Sequence, residues 1–274
     1  MDFDKALAAG VVILYSLGTL GFFLGTLAGK RGIKNISGYV TLAGFALHTA
    51  VGINDFRSES IAELSFGFYM QFLAWCLVGI YIVAWRWLRY PFLGLTAAPL
   101  ALLLYALSFR IAHSEHTLLP EHLSGLFFGM HIWSLYLSIG LLAMAFCAGL
   151  LFVYTENKLK KKSPLAGFTK DMPSLSTYDK VNFIAVVVGF PLFTLGLMSG
   201  FIWSPIAQGL TGSPKVLYSL FVWFLYALLF YQRTALGRRG RKTAVMAIAI
   251  FIISILSMGL DFTMSHHSGQ LLQP

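Results

Sequence analysis

Long apolar stretches separated by short polar intervals are the main pattern of this chain of 274 residues. The clearest stretch, residues 126–154, contains no Asp, Glu, Lys or Arg. It is longer than the ~20 apolar residues that a helix needs to cross the hydrocarbon core of a bilayer. With seven similar stretches, the pattern predicts eight membrane-spanning helices, at about 6–28, 36–54, 61–85, 91–110, 125–154, 179–204, 215–233 and 243–263.

The polar intervals between these helices are too short to form a separate soluble domain. The longest of them, residues 155–178, has too little apolar content for a core of its own. Charged residues make up 11% of the chain, against about 25% in an ordinary soluble domain. The sequence therefore predicts a single integral-membrane domain over 1–274, an all-α polytopic helix bundle.

Basic residues are distributed unequally between alternate intervals. If the N-terminus lies outside, 16 of the 20 Lys and Arg residues fall in cytoplasmic intervals and 4 in outer intervals. This asymmetry predicts both termini outside, in a multi-pass protein of the bacterial inner (plasma) membrane. The net charge of +9 then belongs to membrane flanks, and we expect no nucleic-acid partner. The acidic start MDFDK is atypical of a cleavable signal peptide, so none is expected.

Small and sulfur-containing residues in the predicted spans favour ordinary helix packing. Gly125 with Gly129, and Gly196 with Gly200, have the spacing that lets membrane helices approach closely. Cys76 and Cys147 lie in separate apolar stretches with no CxxC motif. We interpret both as buried small hydrophobic residues and expect no thiol–disulfide relay.

All seven histidines fall on the predicted outer side, and two of them lie inside spans. His48 and His131 each lie about two turns from the outer end of a predicted helix, roughly 10 Å below the same surface. An ionisable residue inside a membrane span indicates a functional site. Two imidazoles at matched depth on separate helices suit the axial ligands of a bis-histidine haem. Hydrogen bonding in helix packing is the alternative for each.

Further candidates lie where predicted helices leave the membrane on the outer side. His266 and His267 follow the predicted eighth helix, and Trp203 is near the outer end of the sixth. We predict that these residues contribute to haem binding, with His267 as an alternative iron ligand. Interfacial anchoring is the alternative role of Trp203. His113, His116 and His122 lie in the outer loop between the fourth and fifth helices and are expected at the surface.

Several segments resemble, in the same order, the CcsA, HemX and YpjD type of cytochrome c assembly protein. HIWSLYLSIGLLAMAFCAGLLFVY resembles the histidine-bearing helix of that group, and IAELSFGFYMQFLAW its third helix. The resemblance continues through MPSLSTYDKVNF, GLMSGFIW, GLTGSPKVLYSLFVWFLYALLFYQRTALGRRGRKTA and the final HHS. It covers most of the chain from the second helix onward.

This resemblance implies haem handling at the outer face. In the group, a tryptophan-rich segment with a WDPKE-like end presents haem between outer histidines. His131 matches the histidine before that segment, and His267 matches the histidine of the final His-Ser. Ser213 replaces the aspartate of the Asp-Pro-Lys, the segment's tryptophans are absent, and Tyr231 stands where full assembly proteins carry a histidine. These departures indicate the smaller HemX-like and YpjD-like branch.

The leading hypothesis is a membrane protein that binds haem b and presents it at the outer face for cytochrome c biogenesis. The expected partners are haem, membrane lipid, another assembly subunit and an apocytochrome c, whose cysteines would form thioethers with haem vinyl groups. Whether the chain is an enzyme stays open at this point; it could act as one component of a holocytochrome c synthase. The alternatives are a cytochrome b-like subunit that exchanges electrons with quinol, and a regulatory or structural partner without haem.

Overall fold

The computed structural model describes residues 3–58, 66–87, 90–111, 126–161, 173–208 and 214–270. All of their regular secondary structure is helical, and it forms eight α-helices: α1 (Phe3–Leu27), α2 (Arg31–Ser58), α3 (Phe66–Arg86), α4 (Gly94–Ile111), α5 (Leu126–Lys160), α6 (Leu175–Gln208), α7 (Pro214–Thr234) and α8 (Arg241–Gln270). A single 3₁₀ turn, Pro91–Leu93, precedes α4. The predicted all-α fold and its eight helices are confirmed.

Seven of these helices are long and apolar enough to cross a membrane. The apolar part of α3 within the described residues, Met70–Arg86, is shorter. The chain is therefore a multi-pass membrane helix bundle. Several helices extend beyond the apolar stretches that predicted them, because polar residues such as Glu156 and Lys160 continue the helical hydrogen bonding of α5 outside its apolar part.

The helices pack as two groups of four. In the N-terminal half, α1 packs on α2 and α4, and α3 packs on the same two helices. In the C-terminal half, α5 packs on α6 and α8, and α7 also packs on α6 and α8. The main contact between the halves is made by α3 and α5.

Close packing of α1 on α2 depends on small residues. A methyl group added at Gly18 would collide with Thr41, and one added at Gly21 would collide with Ser37. The hydroxyl groups of Ser37 and Thr41 donate to backbone carbonyls one turn earlier in α2. These polar groups therefore pack in the apolar bundle with their hydrogen bonds satisfied.

Helix α3 lies between α2 and α5 and carries aromatic residues toward both. The indole of Trp75 stacks on Phe45 of α2, with ring centroids 5.2 Å apart, and donates its Nε1–H to Thr49 at 2.9 Å. On its other side, Trp75 and Phe72 meet Trp133 of α5 at centroid distances of 6.1 and 4.9 Å. An aromatic layer thus separates α2 from α5.

Candidate haem-binding site

His48 lies in a closed aromatic environment in the N-terminal half. It is 1% exposed, and its Nδ1 is 3.0 Å from the hydroxyl oxygen of Tyr15 on α1. The ring of Tyr105 on α4 approaches edge to face, with centroids 4.6 Å apart. The Nε2 atom of His48 is buried and has no hydrogen-bond partner among the described residues. Because the imidazole is enclosed, an iron atom could reach it only if the surrounding side chains moved.

His131 is held by α6 near the N-terminal end of α5. Its Nδ1 is 2.6 Å from the backbone carbonyl oxygen of Gly196. Since a carbonyl can only accept, this contact assigns the proton of the neutral imidazole to Nδ1 and the lone pair to Nε2. Histidines that bind metals commonly donate their second ring N–H to a carbonyl or carboxylate in this way. The arrangement fits an axial ligand of haem iron.

Gly200 provides the space that the imidazole of His131 occupies. A methyl group at position 200 would lie 2.5 Å from Cε1 and 2.6 Å from Nδ1 of His131. Gly196, one turn earlier, supplies the accepting carbonyl and packs closely against Leu135. We interpreted the GxxxG spacing of Gly196 and Gly200 as ordinary helix packing. The structure shows that these two glycines form the surface of α6 against which the imidazole of His131 lies. Gly129 of the other pair has open space where its Cβ would lie, and Gly125 is outside the described residues.

The structure places the two membrane histidines in different neighbourhoods. His48 contacts α1 and α4, His131 contacts α6, and α3 packs between their helices. The matched depth that we inferred also changes, because α2 continues past Asn54 to Ser58. His48 lies ten residues before that end, whereas His131 lies five residues after the start of α5 at Leu126. A shared iron between them stays a prediction, and the geometry does not support it.

The remaining candidates lie in longer helices than we predicted. His266 and His267, expected just beyond the eighth helix, fall within α8, which runs to Gln270 because no proline or glycine interrupts residues 260–268. Trp203 falls within α6, which continues through Pro205 to Gln208. The side chains of these three residues, and His113, His116 and His122 altogether, are outside the described residues.

Sequence reasoning missed the aromatic residues that enclose His48, and it did not show which way the aromatic residue next to His131 in the chain would face. Tyr15 and Tyr105 enclose His48 from two other helices. Trp133, two residues after His131, is 56% exposed and faces α3 on the opposite side of α5. The sequence shows that large aromatic residues lie in the predicted spans, but it does not show which of them contact each other or a histidine.

The described residues contain no group of three or more His, Cys, Asp or Glu side chains that could hold a metal ion. Haem iron does not require such a group, because the porphyrin supplies four of its ligands and one or two imidazoles complete the set. Cys76 and Cys147 are free, buried thiols in α3 and α5, as expected.

Comparison with known proteins supports the resemblance seen in the sequence. A family model described as Cytochrome C assembly protein matches residues 66–266, a range that contains His131, Trp203 and His266 but neither His48 nor His267. The cytochrome c biogenesis protein CcsA of Mesostigma viride is 25% identical over 238 residues, covering 78% of this chain and 78% of the relative. CcsA of Prochlorococcus marinus is 26% identical over 220 residues, covering 70% and 69%.

A relative of nearly equal extent is protein HemX of Bacillus subtilis. It is 24% identical over 261 residues, which cover 93% of this chain and 94% of HemX. No solved structure matches the chain. Because the family model covers well over half of the sequence, from α3 almost to the end of α8, this protein belongs to the cytochrome c assembly protein family.

Proposed function

We propose that this protein takes part in cytochrome c biogenesis by holding haem b at the outer face of the bacterial plasma membrane, with His131 as an axial ligand. The observation that carries the proposal is the contact of His131 with α6. The Gly196 carbonyl fixes Nδ1 as the protonated nitrogen, and Gly200 leaves room for the ring. Nε2 is then the nitrogen with a lone pair for iron, and the histidine lies within the range that matches the family.

The C-terminal half also supplies the best source of a second ligand. Helices α5 and α8 pack along each other, and His267 lies near the end of α8 that is predicted to face outside. His266 is its neighbour, and Trp203 follows Gly200 by three residues on α6. We assign His267 as the second ligand, with His266 and Trp203 as further haem contacts. The pairing of His48 with His131 is the alternative ligand set.

The chemistry that we propose for this protein is to hold haem while thioether bonds form between haem and an apocytochrome c. Bound haem supplies the vinyl groups that become thioethers in a cytochrome c, and the thiols come from the apocytochrome. The two cysteines of this chain are buried in the bundle, so its own part is to ligate and orient haem. Because the CcsA relatives are named cytochrome c biogenesis proteins, we expect an apocytochrome c and another assembly subunit as partners.

Haem content and the absorption spectrum of the protein purified in detergent test this proposal. We expect close to one haem per chain with a low-spin spectrum. Gly200→Ala should lower the haem content several-fold, because the added methyl group displaces the imidazole without removing it. Gly129→Ala is the matched control, since open space surrounds that position on α5.

Two results would contradict the proposal. One is a purified wild-type protein that neither retains nor takes up haem. The other is equal haem content in the Gly200 and Gly129 variants with unchanged spectra. Rapid reduction of the bound ferric haem by added quinol, which is oxidised to the quinone, would favour the electron-transfer alternative instead.

A further inference from the structure

A large cavity lies at the opposite, basic end of the C-terminal half. Its volume is about 1010 Å³, and it is lined mainly by the first turns of α6, the end of α7 and the connection from α7 to α8. Four cationic side chains line it: Lys180, Arg233, Arg238 and Arg239. The distribution of basic residues predicts that this end faces the cytoplasm. No role in haem binding accounts for this cavity.

A buried ion pair forms the inner wall of the cavity. Arg233 is 3% exposed, and its guanidinium donates to the Asp179 carboxylate at 2.8 Å and to the Asp179 backbone carbonyl at 2.6 Å. Its Nε is buried without a hydrogen-bond partner among the described residues. The guanidinium therefore keeps one donor that the described residues leave unsatisfied.

The same residues fix the connection that carries the other two arginines. Arg233 donates to the carbonyl of Arg238 at 3.2 Å, and the backbone N–H of Gly240 donates to Asp179 at 3.0 Å. Gly237 and Gly240 have φ angles of 58° and 88°, which favour glycine. The backbone at Arg238 and Arg239 is therefore held in place, with both side chains exposed toward the cavity.

The balance of charge in the cavity favours an anion. Asp179 is the only acidic residue among the described residues that line the cavity. Its carboxylate already accepts hydrogen bonds from Arg233 and from the backbone N–H of Gly240. The four cations therefore leave a surplus of three positive charges. The first turn of α6, at Leu175, adds the positive end of a helix dipole, which also favours negative groups.

The rest of the lining selects an amphipathic anion over a free ion. Phe152, Leu175 and Phe183 form an apolar wall beside the cations, at the level where the helices leave the apolar layer. A basic pocket between membrane helices on the cytoplasmic side is suited to phospholipid head groups. We propose that this cavity binds the phosphate of an anionic phospholipid from the inner leaflet, with its acyl chains against the apolar wall.

Lipid titration of the delipidated full-length protein tests this inference. The probes are phosphatidylglycerol, phosphatidylcholine of the same chain length and inorganic phosphate, with bound lipid counted by native mass spectrometry. We expect saturable binding of phosphatidylglycerol in preference to phosphatidylcholine. The double variant Lys180→Gln/Arg239→Gln should weaken this binding about 10- to 30-fold, since each basic residue near a membrane surface contributes substantially to attraction of anionic lipid.

The control is Lys30→Gln/Lys161→Gln, which removes the same charge from exposed positions at the same end but outside the cavity. It should change phosphatidylglycerol binding less than twofold. Equal weakening in both double variants would overturn the proposal and indicate nonspecific surface attraction. Equal binding of the two lipids, or binding of inorganic phosphate with no preference for phosphatidylglycerol, would overturn it as well. Haem content is a separate measurement, so failure here leaves the haem proposal to its own test.

Discussion

The two halves of this bundle each hold a membrane histidine through Nδ1, but they hold it with different chemistry. In the N-terminal half, the partner of His48 is the hydroxyl of Tyr15, which can donate or accept. In the C-terminal half, the partner of His131 is a backbone carbonyl, which can only accept. The carbonyl therefore fixes the tautomer, and the phenol does not. The comparison indicates that the hydrogen-bond partner, and not membrane burial alone, decides which nitrogen of the imidazole carries the proton.

The halves differ also in how their polar groups are stabilised. In the N-terminal half, the hydroxyl groups of Ser37 and Thr41 bond to carbonyls of their own helix, and Tyr15 and His48 form a hydrogen bond between uncharged groups of α1 and α2. The C-terminal half contains a buried ion pair between α6 and α7, which also fixes the connection to α8. The end of this half that carries Arg233 and the end that carries His131 are thus both organised by polar contacts between residues far apart in the chain. This half lies entirely within the region that matches the family, apart from the last residues of α8.

The largest expected effect is on the stability of the C-terminal half. Arg233→Met should destabilise the protein by about 3–5 kcal/mol, because it leaves the Asp179 carboxylate without its buried partner. Unfolding in mixed detergent and denaturant measures this change. The double variant Arg233→Met/Asp179→Asn should recover much of the loss, since no charge then stays unpaired. Equal stability of the single variant and the wild type would show that the ion pair is screened by water.

Removing each membrane histidine in turn tests the comparison between them directly. His131→Ala should reduce retained haem more than tenfold, because the oriented ligand is lost. His48→Ala should change haem retention less than twofold, because that imidazole is enclosed by tyrosines. Haem per purified chain is the measurement, and added imidazole should restore part of the spectrum in the His131 variant. Equal losses from both substitutions would instead favour a shared iron and movement of α3.

The sequence predicted the helices but not the contacts between them. Each helix corresponds to a largely apolar stretch of at least 17 residues without Asp, Glu, Lys or Arg, so the type and order of all eight helices could be predicted. Helix ends were less predictable, because residues such as His266 continue α8 beyond its apolar stretch. Gly196 and Gly200 were visible as a packing motif. That His131 lies opposite them depends on the relative rotation of α5 and α6, which no single-helix pattern contains.

The smallest expected effect concerns the hydroxyl group that contacts His48. Tyr15→Phe should destabilise the protein by about 1 kcal/mol, because Nδ1 of a buried imidazole loses its partner. Tyr81→Phe is the matched control in the same half: Tyr81 is fully buried, and its hydroxyl has no hydrogen-bond partner among the described residues. That change should be neutral or slightly stabilising, since it removes an unsatisfied polar atom. Haem retention should stay the same in both variants, because neither alters His131. A loss of haem in Tyr15→Phe alone would show that the closed histidine of the N-terminal half also takes part in haem handling.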